Sequence, residues 1–181
     1  GPIIIAIGIV SIAAALGYTG GPKPYGYRGL GEIFVFVFFG LVATVGSRFV
    51  HDRSAPLDAW LVAIPVGFLV TAILVANNIR DMDTDAAAGK RTLAVLIGRA
   101  RTRVLFAGLV WGAFAALAVF ATADWVPRPA GLGLLAAPLA VPLVRTINTT
   151  SSGPPLIRAL KGTVLLHALV GALVAAGSAL G

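Results

Sequence analysis

Six apolar stretches, at about residues 2–17, 33–50, 57–78, 104–123, 130–147 and 163–180, set what this chain can fold into. A helix needs roughly 17–25 mainly apolar residues to cross a bilayer, and each stretch reaches or approaches that length, the first and fifth at the short end. Within hydrocarbon every backbone N–H and C=O must be satisfied inside its own segment, which a helix does. The expected fold is therefore all-α: a polytopic transmembrane helix bundle, six helices in one domain over residues 1–181. A mean hydropathy of +0.94 with only 12% charged residues agrees, lying far from the range of soluble proteins. Cysteine is absent, which excludes disulfide and thiolate chemistry.

The loops between these stretches are short and rich in Gly, Pro and charge, so successive helices are expected to run antiparallel. Alternation sorts the Lys and Arg residues into two sets. Lys23, Arg28, Arg80, Lys90, Arg91, Arg99, Arg101, Arg103, Arg145, Arg158 and Lys161 fall on one side, and Arg48, Arg53 and Arg128 on the other. Eleven against three makes the first side cytoplasmic by the positive-inside bias. Trp60 and Trp125 fall at helix ends on the opposite side, where amphipathic rings favour the interface, whereas Trp111 lies inside a span and reads as packing. The same bias accounts for the net charge of +7, so the expected partner is the lipid bilayer and not nucleic acid.

One stretch on the positive side breaks the apolar pattern: Asn77-Asn78-Ile79-Arg80-Asp81-Met82-Asp83-Thr84-Asp85, then Ala86-Ala87-Ala88-Gly89-Lys90-Arg91-Thr92. If the third helix continues through it at about 100° per residue, Asp81 and Asp85 share a face and Asp83 points away. Two like charges so placed repel unless a cation lies between them. Carboxylates at this separation suit Mg²⁺, which takes oxygen ligands, keeps some waters and bridges to substrate phosphates. Asn77 and Asn78, one turn earlier, offer neutral oxygens or donors, and Arg80, Lys90 or Arg91 can neutralise the remaining phosphate charge. The stretch then reads as a diphosphate site held through Mg²⁺. Spacing alone equally allows a solvated loop of three acids and three bases that neutralise one another.

A second unusual stretch on the same side, Tyr18 to Glu32, sets three tyrosines, Lys23, Arg28 and Glu32 among glycines and prolines. Glycine permits close backbone approach or positive φ, and proline stiffens the path. The stretch reads either as a wall for an aromatic or anionic substrate, or as a connector with tyrosines at the interface and Glu32 near a helix N-terminus. Elsewhere, His167 is expected to be a hydrogen-bonded packing residue facing the bundle, and His51 and Asp52 to be solvated in an outer loop. Pro65, with Gly67 beside it, is expected to bend the third helix.

The Asn77 to Asp85 stretch, followed by Gly89-Lys90-Arg91-Thr92-Leu93-Ala94-Val95, resembles the second aspartate-rich motif of the intramembrane aromatic prenyltransferase superfamily. Together with the glycine-rich Tyr18 to Glu32 segment, it is most similar to the 1,4-dihydroxy-2-naphthoate polyprenyltransferases of menaquinone synthesis. The resemblance covers essentially the whole chain and implies a fold of nine transmembrane helices in which this motif follows the sixth. Here the motif follows the third of six stretches, so three helices are expected upstream. With them is expected a first aspartate motif, which supplies the other half of the Mg²⁺-diphosphate site, and the chain by itself is expected to be inactive.

Carried onto this sequence, the resemblance implies that Asp81 and Asp85 hold Mg²⁺ and act in catalysis with Lys90. Asn77, Asn78, Arg80 and Arg91 would bind the diphosphate, and Lys23, Tyr25 and Arg28 would line the substrate cavity. The implied reaction transfers a polyprenyl group from polyprenyl diphosphate to dihydroxynaphthoate, with loss of carbon dioxide, giving demethylmenaquinone. The implied setting is the cell membrane, with the motif on its cytoplasmic side. Two alternatives stay open: a same-fold enzyme acting on 4-hydroxybenzoate, homogentisate or haem, and a non-catalytic membrane bundle whose acidic loop merely binds cations.

Overall fold

The computed structural model describes residues 1–21 and 24–180. Six helical segments follow one another: α1 (Pro2–Thr19), α2 (Gly31–Asp52), α3 (Leu57–Ala87), α4 (Leu93–Thr122), α5 (Arg128–Thr149) and α6 (Pro154–Ser178). A 3-10 turn, Tyr25–Arg28, lies between the first two, and no strand occurs among the described residues. Segments α2 to α6 are long and apolar enough to cross a membrane, and α1 is a shorter apolar helix. The protein is a multi-pass membrane helix bundle, with its segments in the order the apolar stretches require.

The helices outrun those stretches. α3 continues past residue 78 to Ala87, α4 begins at Leu93 and not near residue 104, and α6 begins at Pro154 and not near residue 163. Hydropathy marks the part that prefers lipid, whereas a helix needs only its own hydrogen bonds and residues such as Ala, Leu, Arg and Met that tolerate it. At about 1.5 Å per residue, α3 reaches about 46 Å, well past a hydrocarbon core of about 30 Å. The surplus carries the aspartates.

α3 is the central helix, packing on α2, α4 and α6. Its Leu69, Ala72, Val75, Ala76 and Ile79 are fully buried, in one core with Phe106, Val110 and Leu117 of α4 and Leu166 and Val170 of α6. α2 meets α3 where both lack side chains: a Cβ on Gly40 would lie 2.4 Å from the Cα of Gly67. Around that contact α2 widens into a π-helical segment, Phe36–Val42, and the Phe36 ring lies 5.5 Å from that of Phe68. Gly67 therefore serves close approach, and α3 is continuous through buried Pro65.

Three smaller expectations are corrected. The Nδ1 of His167 is buried with no hydrogen-bond partner among the described residues, although a packing residue there is expected to be hydrogen-bonded. Trp111 is 40% exposed on α4 and leans on Phe114, so much of its ring faces outward. His51 and Asp52 form the last turn of α2 and not a loop, because the helix persists until Arg53 adopts a left-handed conformation; both are exposed, as expected.

Candidate functional site

The winding of α3 continues unbroken through the motif, so Asp81 and Asp85 stand one turn apart on one side of the helix. Asp83 is turned to solvent, with its side chain 82% exposed. The helix closes in a Schellman motif: the Gly89 N–H donates to the Ala86 carbonyl and the Lys90 N–H to the Asp85 carbonyl at 2.9 Å. Gly89 takes the left-handed φ of 73° that this closure needs. The turn brings Lys90 back over the helix end, where Nζ donates to Asp85 Oδ1 at 3.1 Å and lies 5.2 Å from the Tyr27 ring centroid. The Asp85 hydrogen bond, and then its charge, raise the pKa of Lys90 above the ordinary lysine value, so this amine is protonated throughout the physiological range.

Asp81 has a different cation. Arg80 donates from Nε to Oδ1 at 2.7 Å and from Nη2 to Oδ2 at 2.6 Å, a bidentate pair, while Nη2 also donates to Asn77 Oδ1 at 2.8 Å. Each carboxylate of the pair thus carries its own positive charge.

The glycine-rich segment packs against this motif. The Arg91 N–H donates to the Tyr27 carbonyl at 3.1 Å, and Asn78 Nδ2 donates to Glu32 Oε1 at 3.0 Å. Asn78, Glu32 and Asp85 are buried. Two stretches some fifty residues apart in sequence therefore build one site. Glu32 was not assigned a functional role from sequence; the available signal was a lone carboxylate at the head of an apolar helix.

Other candidates lie elsewhere. Tyr25 stacks on Phe34 with ring centroids 3.8 Å apart, donates its hydroxyl to the Ala14 carbonyl, and lines an apolar pocket of about 460 Å³ between α1 and α2. Its contacts are with those helices and not with the aspartates, and burial pushes the pKa of its phenol up. The Arg28 and Arg91 side chains are exposed, and Lys23 lies outside the described residues.

The donor set is chemically suited to a hard divalent cation. Mg²⁺ commonly takes one or two protein carboxylates and completes its shell with water and phosphate oxygens, and Asp81 and Asp85 offer such a pair one turn apart on α3, with Asn77 Oδ1 linked to Asp81 through Arg80. No group of three or more His, Cys, Asp or Glu comes together among the described residues.

Residues 1–161 match the UbiA prenyltransferase family. The 1,4-dihydroxy-2-naphthoate octaprenyltransferase of Mycobacterium tuberculosis is 44% identical over 179 residues, 98% of this chain and 59% of that protein. The protein of the same name in Escherichia coli is 38% identical over 169 residues, 91% of this chain and 55% of its own length. UbiA prenyltransferase domain-containing protein 1 of Gallus gallus is 33% identical over 132 residues, 73% of this chain and 38% of that protein. The chain thus spans less than two thirds of the length of these relatives. No solved structure matches it. The family match runs through both the aspartate motif and the glycine-rich segment packed against it, and the chain belongs to the UbiA prenyltransferase family.

Proposed function

We propose that the protein is a Mg²⁺-dependent membrane enzyme that transfers a polyprenyl group from polyprenyl diphosphate to 1,4-dihydroxy-2-naphthoate, giving the hydroquinone form of demethylmenaquinone. The observation that carries this reading is the Asp81 and Asp85 pair on the overrun of α3, each carboxylate with its own cation, Arg80 or Lys90. Relatives named for octaprenyl transfer to dihydroxynaphthoate support the choice of donor and acceptor.

Asp81 and Asp85 would hold the metal, with Asn77 and Asn78 one turn earlier as further oxygen donors. A divalent cation held there would supply Lewis-acid stabilisation of the diphosphate leaving group. Arg80 and Lys90 supply further positive charge for the phosphate oxygens. The allylic C–O bond breaks with its electron pair leaving on the diphosphate, the electron-rich naphthoate ring attacks the allylic cation, and carbon dioxide is lost. The protein stabilises the leaving group electrostatically, and apolar helix faces keep water from the cation. The eleven-to-three distribution of Lys and Arg supports a cytoplasmic site in the cell membrane.

The test is turnover by purified full-length protein given a prenyl diphosphate, dihydroxynaphthoate and Mg²⁺. Prenylated product and carbon dioxide should appear, stop on chelation and return with added Mg²⁺. Turnover on 4-hydroxybenzoate in place of dihydroxynaphthoate would overturn the acceptor, and turnover unaffected by chelation would overturn the metal.

A further inference from the structure

Glu32 is a carboxylate placed where carboxylates are costly. It is 7% exposed, at the head of α2, in a cleft of about 300 Å³ lined by Phe36, Phe68, Thr71, Leu105 and Leu109. Oε1 accepts from Asn78 Nδ2 at 3.0 Å, and Oε2 has no hydrogen-bond partner among the described residues. A buried carboxylate with one hydrogen bond and one orphaned oxygen is a poor way to stabilise a fold, since an apolar side chain of similar volume usually does as well or better. The gain from Glu32 has to lie in geometry.

The chemistry of the pair dictates that geometry. A carboxylate only accepts hydrogen bonds, so the end of the Asn78 amide that faces Glu32 is its NH₂, and Oδ1 is turned elsewhere. Asn78 stands seven residues before Asp85, close to two helical turns, so the two lie on nearly the same side of α3. We propose that Glu32 is a positioning residue: it locks the amide of Asn78 so that its oxygen, and not its NH₂, is offered to the divalent cation and diphosphate held by Asp81 and Asp85. This rests on the proposed function for the identity of the ligand. With the acceptor gone, the amide can present either end, and an NH₂ group toward a cation repels it.

The test has a binding arm and a turnover arm, both on full-length protein in detergent. Binding of Mn²⁺ with inorganic pyrophosphate is followed by the electron paramagnetic resonance of free Mn²⁺. Glu32→Gln keeps the volume, but its own amide can donate to Asn78 Oδ1 and so favour the reversed orientation. Glu32→Leu fills the same cleft with no acceptor at all. Both should weaken Mn²⁺–pyrophosphate binding roughly 10–100-fold, the range for groups that orient metal ligands, and raise the Mg²⁺ needed for half-maximal turnover to a similar degree. Their melting temperatures should be unchanged or higher, and the KM for the acceptor unchanged.

Because Glu32 acts through Asn78, Glu32→Gln combined with Asn78→Ala should bind no worse than Asn78→Ala alone. Additive losses would overturn the proposal. So would a changed acceptor KM with unaltered Mn²⁺ binding, which would make Glu32 an acceptor contact, or a lowered melting temperature with unaltered binding, which would make it structural. If unaltered protein binds Mn²⁺–pyrophosphate but does not prenylate dihydroxynaphthoate, the proposed function fails while the binding arm still decides the role of Glu32.

Discussion

Arg99 holds Asp83. Its Nη2 lies 3.2 and 3.1 Å from the two carboxylate oxygens, and its Nη1 donates to the Ile79 carbonyl at 3.0 Å. α4 is interrupted one residue earlier, at Gly98, whose φ of 78° and ψ of 162° lie outside helical space. The aspartate that helical geometry sets apart from Asp81 and Asp85 thus ties the last turns of α3 to the start of α4.

Asp83→Ala should therefore be mild. The pair is exposed on the aspartate side, and exposed ion pairs contribute about 0–1 kcal/mol, so kcat/KM should fall by less than about fivefold. Asp81→Ala and Asp85→Ala each remove a proposed metal ligand, which should cost several kcal/mol of transition-state stabilisation, or roughly 10²–10³ in kcat/KM. Steady-state kinetics of the three variants in full-length protein decide the matter, and an Asp83→Ala loss equal to the other two would erase the distinction.

Gly89 sets the path of Lys90. A Cβ there would meet nothing within 4 Å among the described residues, so the position is limited by its φ of 73° and not by space. A non-glycine residue in the left-handed region costs about 1–2 kcal/mol, less for Asn, whose short polar side chain tolerates it. Gly89→Ala should thus loosen the Schellman closure and the Lys90–Asp85 hydrogen bond, lowering turnover by several-fold, while Gly89→Asn keeps most of it. Equal activity of the two variants would show that the closure does not position Lys90.

The reach of the sequence ended where register between separate segments began. Helix winding is fixed, so the face shared by Asp81 and Asp85 could be read from their spacing, and the apolar stretches gave the number and order of helices. Nothing in a linear pattern pairs residue 32 with residue 78, or residue 83 with residue 99; both depend on how helices stack and, for Arg99, on a break at Gly98 inside an otherwise helical run. Helix ends were misjudged because hydropathy reports preference for lipid and not helix length. Tyr25 shared a segment with Tyr27, yet one faces Phe34 and the other Lys90, a divergence set by the 3-10 turn that carries them.

The contact of Gly40 with Gly67 should be sensitive to a single methyl group. A Cβ on Gly40 would sit 2.4 Å from backbone, which cannot yield by a rotamer change, so α2 must move off α3. Gly40→Ala should destabilise the protein by about 1–3 kcal/mol, the usual cost of overpacking, seen as a lowered melting temperature in detergent. Gly46→Ala, on the same helix with no described residue within 4 Å of its Cβ, is the matched control and should be neutral or stabilising. Equal destabilisation by both would mean that the helices do not approach there.

Sidedness is open to a clean experiment because the chain has no cysteine, so each introduced thiol reports on its own. Ala87→Cys sits at the end of the helix that carries the motif and Ser54→Cys in the turn between α2 and α3, at the opposite end of α3. Eleven Lys and Arg accompany the first position and three the second, and cations are retained on the cytoplasmic face during insertion. Trp60 and Trp125, both partly exposed, lie at the end of the bundle that holds Ser54, where indole rings settle at an interface. In sealed right-side-out vesicles, an impermeant thiol reagent should label Ser54→Cys at once and Ala87→Cys only after permeabilisation. Labelling of Ala87→Cys from outside would place the aspartates on the outer face, away from the leaflet where the proposed diphosphate substrate is presented.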